Sequence, residues 1–149
     1  MRPREEVMRR CANAPPCKGA FLLRVVYAIC LLAGASTHLW TVVTHGLVWD
    51  YGGVPVISRV YWTSLTFFDP LAALLLFVRP RAGLVMTFAI IVSDVLHNTW
   101  LMSRSPSPVW LNLMYVAQIL FLAFVISTIR SAWRGLSARE RIGTPLGAT

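Results

Sequence analysis

Four long apolar stretches limit what this chain can fold into. They lie at about 21–48, 60–78, 82–102 and 108–129. Each is long enough to cross a hydrocarbon core of roughly 30 Å as a helix rising about 1.5 Å per residue. Inside lipid the backbone must satisfy its own polar groups, which a helix does within one segment. With 149 residues, 56% hydrophobic and 13% charged, the chain leaves little sequence for a separate soluble domain. The expected fold class is an all-α integral membrane protein, a four-transmembrane-helix antiparallel bundle over 20–130.

The segments between the helices carry their own signals. Residues 1–19 read as a basic, unstructured tail broken by Pro15-Pro16, and 131–149 as a second polar tail. The first connection, 46–58, holds the breakers Gly52-Gly53 and Pro55. It is apolar for a loop (Trp49, Tyr51, Val54), which places it on the membrane surface or over the bundle. Arg79-Pro80-Arg81 ends the second helix, because the residue before proline is pushed out of helical geometry, and so makes a short hairpin with the third. At 103–108, Ser107 is placed to cap the fourth helix and Pro108 to open its first turn. Ala33-Gly34-Ala35 resembles a signal-peptidase site, but the apolar run continues well past it, so the first helix is read as a retained span.

The formal charge of +8 lies outside the apolar runs, which fits topology rather than nucleic-acid binding. Twelve of the fourteen Lys and Arg fall on one side of a four-span arrangement; Arg59 and Arg104 fall on the other. The positive-inside bias then puts both termini in the cytoplasm. Only Lys18 of the fourteen is lysine, a bias common in GC-rich bacteria, which makes a bacterial inner (plasma) membrane the expected location. Cys11, Cys17 and Cys30 match no redox or zinc spacing.

Chemistry concentrates in 91–102, IVSDVLHNTWLM. Asp94, His97 and Asn98 stand at i, i+3 and i+4 and read as one helix face. An intramembrane carboxylate is costly and must face protein, water or a partner. Depths counted along the helices put Asp69 and Asp94 near the bilayer centre. His38 and His97 lie at one level further out, and Tyr115 and Gln118 fall in the outer half and near the middle. The other half of the same faces is dry: Leu31, Gly34, Ala72, Ala73, Leu76 and Leu122. Thr87 is its exception, and a helical threonine can satisfy itself on the carbonyl one turn back, here Gly83. The pattern predicts a polar pocket open outward and sealed inward.

Asp94, His97, Asp69 and His38 are the candidate catalytic residues. Asn98, Thr41, Thr66, Trp62, Trp100, Tyr115 and Gln118 are the candidate ligand-binding ones. Asp94 is ranked as the centre and Asp69 as the lesser acid, since Pro70 kinks the helix and a polar group beside a kink has a structural reason to exist. The expected function is binding of, or acid–base action on, a small lipophilic molecule. Proton- or ion-coupled transport by a homo-oligomer is an alternative, although the first span contains no Asp or Glu. A non-catalytic accessory subunit is another. No cofactor or metal is expected; His38 and His97 at matching depth leave haem b as a minor alternative.

Overall fold

In the computed structural model, which describes residues 15–104 and 112–143, four helices follow one another: α1 (Pro15–His45), α2 (Val56–Val78), α3 (Pro80–Met102) and α4 (Leu113–Gly143). Each contains a segment long and apolar enough to cross a membrane, Lys18–His45 in α1 and Leu113–Ser137 in α4. α1 packs on α2 and α4, and α3 packs on the same two, so the bundle is square in section. Polarity is inverted relative to a water-soluble bundle. Arg24, Ser58, Asp69, Thr87, Asp94 and Asn98 are buried, while Trp40, Val43, Phe67, Leu74 and Leu120 are exposed. That distribution suits a hydrocarbon surround.

Several helix ends differ from those expected. α1 begins at Pro15 rather than 21, because prolines in a first helical turn remove only N–H groups that have no partner there. It stops at His45 rather than 48. Gly46 takes φ +87° and donates its N–H to the Val42 carbonyl at 2.8 Å, the left-handed residue that closes many helices. α4 starts at Leu113, where the Asn112 side chain caps the Tyr115 N–H at 3.1 Å. The expected cap Ser107 and first-turn Pro108 lie outside the described residues. α4 also runs on to Gly143 instead of stopping near 129. Arg, Ala and Leu after Arg130 are good helix formers, and Ala132 and Leu136 are buried.

The α2–α3 junction is tighter than its sequence implies. Arg79 alone separates the helices, at φ −134° and ψ +74°, and Pro80 is already the first residue of α3. The Arg24 guanidinium donates to the Leu76 carbonyl at 3.1 Å, placing a cation on the free carbonyls at the end of α2. Gly83 crosses directly over that end. A β-carbon there would overlap the Leu76 backbone nitrogen and stand 2.6 Å from the Leu75 carbonyl carbon and Leu76 Cα. Only glycine lets the two backbones approach this closely.

This hairpin end of the bundle is densely filled. Tyr27, Leu76, Leu84 and Val125 are fully enclosed. The Tyr27 ring meets Phe121 and Phe124 edge-on at 6.2 and 5.7 Å. The Thr128 hydroxyl donates to the Phe124 carbonyl at 2.6 Å, so Tyr27 is the donor in its 2.7 Å bond to Thr128. Thr87 donates to the Gly83 carbonyl at 2.8 Å and needs no water. These residues form a floor beneath the other half of the bundle.

Candidate functional site

Above that floor the helices part around a cavity of about 570 Å³, within the range of small-molecule pockets. α1 contributes Gly34, His38 and Thr41 to its wall, α2 Trp62 and Asp69, α3 Asp94 and Asn98, and α4 Tyr115 and Gln118. The cavity lies toward the end that carries the α1–α2 connection, since Tyr51 from that loop also lines it.

Asn98 is the hub of the polar wall. Its Nδ2 donates to Asp94 Oδ1 at 3.0 Å and to Gln118 Oε1 at 2.9 Å, while its Oδ1 accepts from Trp62 Nε1 at 3.2 Å. One amide thereby joins α2, α3 and α4. Tyr115 is fixed beside it. Thr99 donates to the Val95 carbonyl at 2.6 Å, so the Tyr115 hydroxyl donates to Thr99, also at 2.6 Å.

Asp69 behaves differently from Asp94. It is 5% exposed, and its Oδ1 has no hydrogen-bond partner. The Thr66 hydroxyl, one turn earlier, is also buried and unpartnered. Across from Asp69, Gly34 leaves space: a β-carbon there would stand 3.4 Å from Asp69 Oδ2. Among the described residues neither lysine nor arginine lines the cavity, while two carboxylates do. A buried carboxylate oxygen without a donor is expensive. Asp94, expected as the centre of the site, has an amide donor, and Asp69 Oδ1 has none.

The proposed trio on α3 is divided. At about 100° per residue, Asn98 lies about 40° from Asp94 on one side and His97 about 60° on the other. Asn98 accordingly turns into the cavity and His97 toward α2. There the His97 Nε2 is 3.1 Å from Ser58 Oγ, and its ring packs on Tyr61 at 4.6 Å and Trp100 at 5.7 Å. His97, Trp100 and Thr66 do not line the cavity. Trp100 lies at the surface beneath the Arg104 guanidinium, 4.2 Å from its ring centroid. His38 lines the cavity and His97 does not. Among the described residues no cluster of three or more His, Cys, Asp or Glu is placed to hold a metal ion.

Tyr51 is a wall residue that helical spacing does not find. It adopts φ +52°, between the left-handed Gly46 and Gly52-Gly53, and its ring lies 5.1 Å from Trp62. Its buried hydroxyl is unpartnered. The signal in the sequence is an aromatic beside two glycines in an unusually apolar loop. No family model, curated protein or solved structure matches this chain.

Proposed function

We propose that this is a multi-pass protein of a bacterial inner membrane, with both termini cytoplasmic, whose cavity binds a small lipophilic molecule from the outer half of the bilayer. The carrying observation is Asp69, a buried carboxylate with an unpartnered oxygen on the wall of a cavity otherwise rich in apolar side chains. A ligand that brings a donor to this oxygen supplies what the folded chain lacks. The Asp94–Asn98–Gln118 chain keeps the opposite wall in place, a form of pre-organisation that lowers the ordering cost of binding. The filled floor around Tyr27 and Leu76 favours binding over transport, because its Thr87 and Tyr27 hydroxyls are already paired within the chain. Binding is also favoured over acid–base turnover by an Asp94–His97 pair, since His97 is engaged with Ser58.

Protein purified in mild detergent should be melted against a panel of neutral, cationic and anionic lipophiles. A ligand present at 100 times its Kd stabilises the folded state by about 2.7 kcal/mol, enough to displace the melting curve. Native mass spectrometry of the same sample is expected to find a co-purifying small molecule. If nothing shifts melting and nothing co-purifies, the polar groups serve only to join helices. The accessory-subunit reading, which the internally satisfied Asn98 network would also suit, then takes its place.

A further inference from the structure

We infer that the ligand is a cationic amphiphile, an amine whose ammonium group is held by Asp69 while its apolar body leaves the cavity between α1 and α4. This rests on the binding reading above and names the ligand class for the same site.

Three features carry it. The first is charge. Asp69 and Asp94 both line the cavity, and among the described residues Lys and Arg are absent from its wall and His38 is the one wall side chain able to become a cation. An imidazole is mostly neutral at pH 7. A carboxylate withdrawn from water needs a cation or several donors to remain charged. Asp94 has one donor, the Asn98 amide, and Asp69 Oδ1 has none. An ammonium group brings both the charge and up to three donors.

The second feature is depth. Counting from the hairpin at about 1.5 Å per residue, Asp69 is about 15 Å along α2 and Asp94 about 22 Å along α3. Asp69 is thus the deeper acid, next to the floor, and Asp94 stands nearer the mouth. The ammonium enters first and passes one carboxylate before reaching the other. Gly34 leaves this side of Asp69 free of a side chain, since a β-carbon there would already stand 3.4 Å from Asp69 Oδ2.

The third feature is the side opening. Ala33 and Thr37 on α1 and Met114 and Ala117 on α4 line the cavity, and all four are exposed. Three of the four are small, so the wall between these helices is a crevice facing lipid. A ligand seated head-first at Asp69 can extend its apolar part through this crevice. A water-soluble ammonium ion would have no use for it.

The test uses phenylbutylamine, phenylbutanol and phenylbutyrate, which share one apolar body. Each is titrated against the full chain in lipid nanodiscs with the melting temperature as readout. The parent is expected to bind the amine at least tenfold tighter than the alcohol and to show no response to the carboxylate. Asp69→Asn removes the charge at nearly constant volume and should bring amine and alcohol affinities within about twofold of each other. Should Asp69→Asn fail to fold, Gly34→Ala keeps the charge and puts a methyl group beside it at an ordinary contact distance. It should weaken the amine several-fold and the alcohol less. An alcohol that binds as tightly as the amine would mean that Asp69 is protonated and accepts a neutral ligand; the cationic assignment fails while the binding reading stands. The cationic assignment fails in the same way if neither variant alters the amine-to-alcohol ratio. If none of the probes binds and no small molecule co-purifies, the binding reading fails and the inference with it.

Discussion

Gly83→Ala is the most direct test of how this bundle is held together. Two effects of opposite sign meet at this position. Alanine is favoured over glycine inside a helix by about 0.5–1 kcal/mol, because glycine loses more backbone freedom on folding. Against this, the added β-carbon would stand 2.6 Å from the Leu75 carbonyl carbon and from Leu76 Cα. Carbon atoms in contact prefer about 3.5–4.0 Å, so α3 would have to withdraw by about 1 Å. The obstacle is backbone and cannot rotate away. Withdrawal would loosen Leu76, Leu84 and Thr87, each 0% exposed. Overpacking of this kind costs about 1–3 kcal/mol, sometimes more, and the backbone contact puts Gly83 at the upper end. The net expectation is a loss of about 2 kcal/mol. Gly19 is the control: a β-carbon there meets nothing within 4 Å, so Gly19→Ala should be neutral or slightly stabilising. Reversible unfolding in mixed micelles of mild and denaturing detergent measures both. A Gly83→Ala variant as stable as the parent would refute the close crossing of α2 and α3.

Three further outcomes are expected. Tyr27→Phe should cost about 1 kcal/mol, the usual net worth of a neutral hydrogen bond, and a double-mutant cycle with Thr128→Val should recover most of it as coupling. Asn98→Leu strips partners from Asp94, Gln118 and Trp62. At about 1–3 kcal/mol for each orphaned buried group, it should destabilise the protein more than Tyr27→Phe in the same assay. Reporter fusions should place residue 149 and the Arg79–Arg81 turn in the cytoplasm and Gly52 on the other side; an external reading at Arg79 would invert the membrane orientation.

The helices were legible because apolar run length is a direct consequence of how lipid treats an unpaired backbone. Their ends were less so. Pro15-Pro16 breaks a helix interior but is welcome in a first turn, and the sequence alone does not say which applies. The arginines after Ile129 mark the end of a hydrophobic stretch, not of a helix, and α4 continues with Ala132 and Leu136 packed inside. Within the site, spacing brought Asp94 and Asn98 together correctly but grouped His97 with them. An i, i+3, i+4 set spans about 100° of arc, and two neighbouring helices can share it out. Pro70 accounts for a kink in α2 but not for the carboxylate oxygen of Asp69 that has no donor. Tyr51 reaches the cavity through four left-handed residues in one loop, a path that helical periodicity does not describe.

The single-residue junction at Arg79 also bears on how the protein is made. α2 and α3 have almost no chain between them, so they must enter the membrane as one hairpin, carrying both acids with them. Asn98 and Thr99 then wait for a helix that has not been synthesised, because their partners Gln118 and Tyr115 belong to α4. Until α4 docks, that polar face lies open to lipid or to whatever insertion machinery shields it.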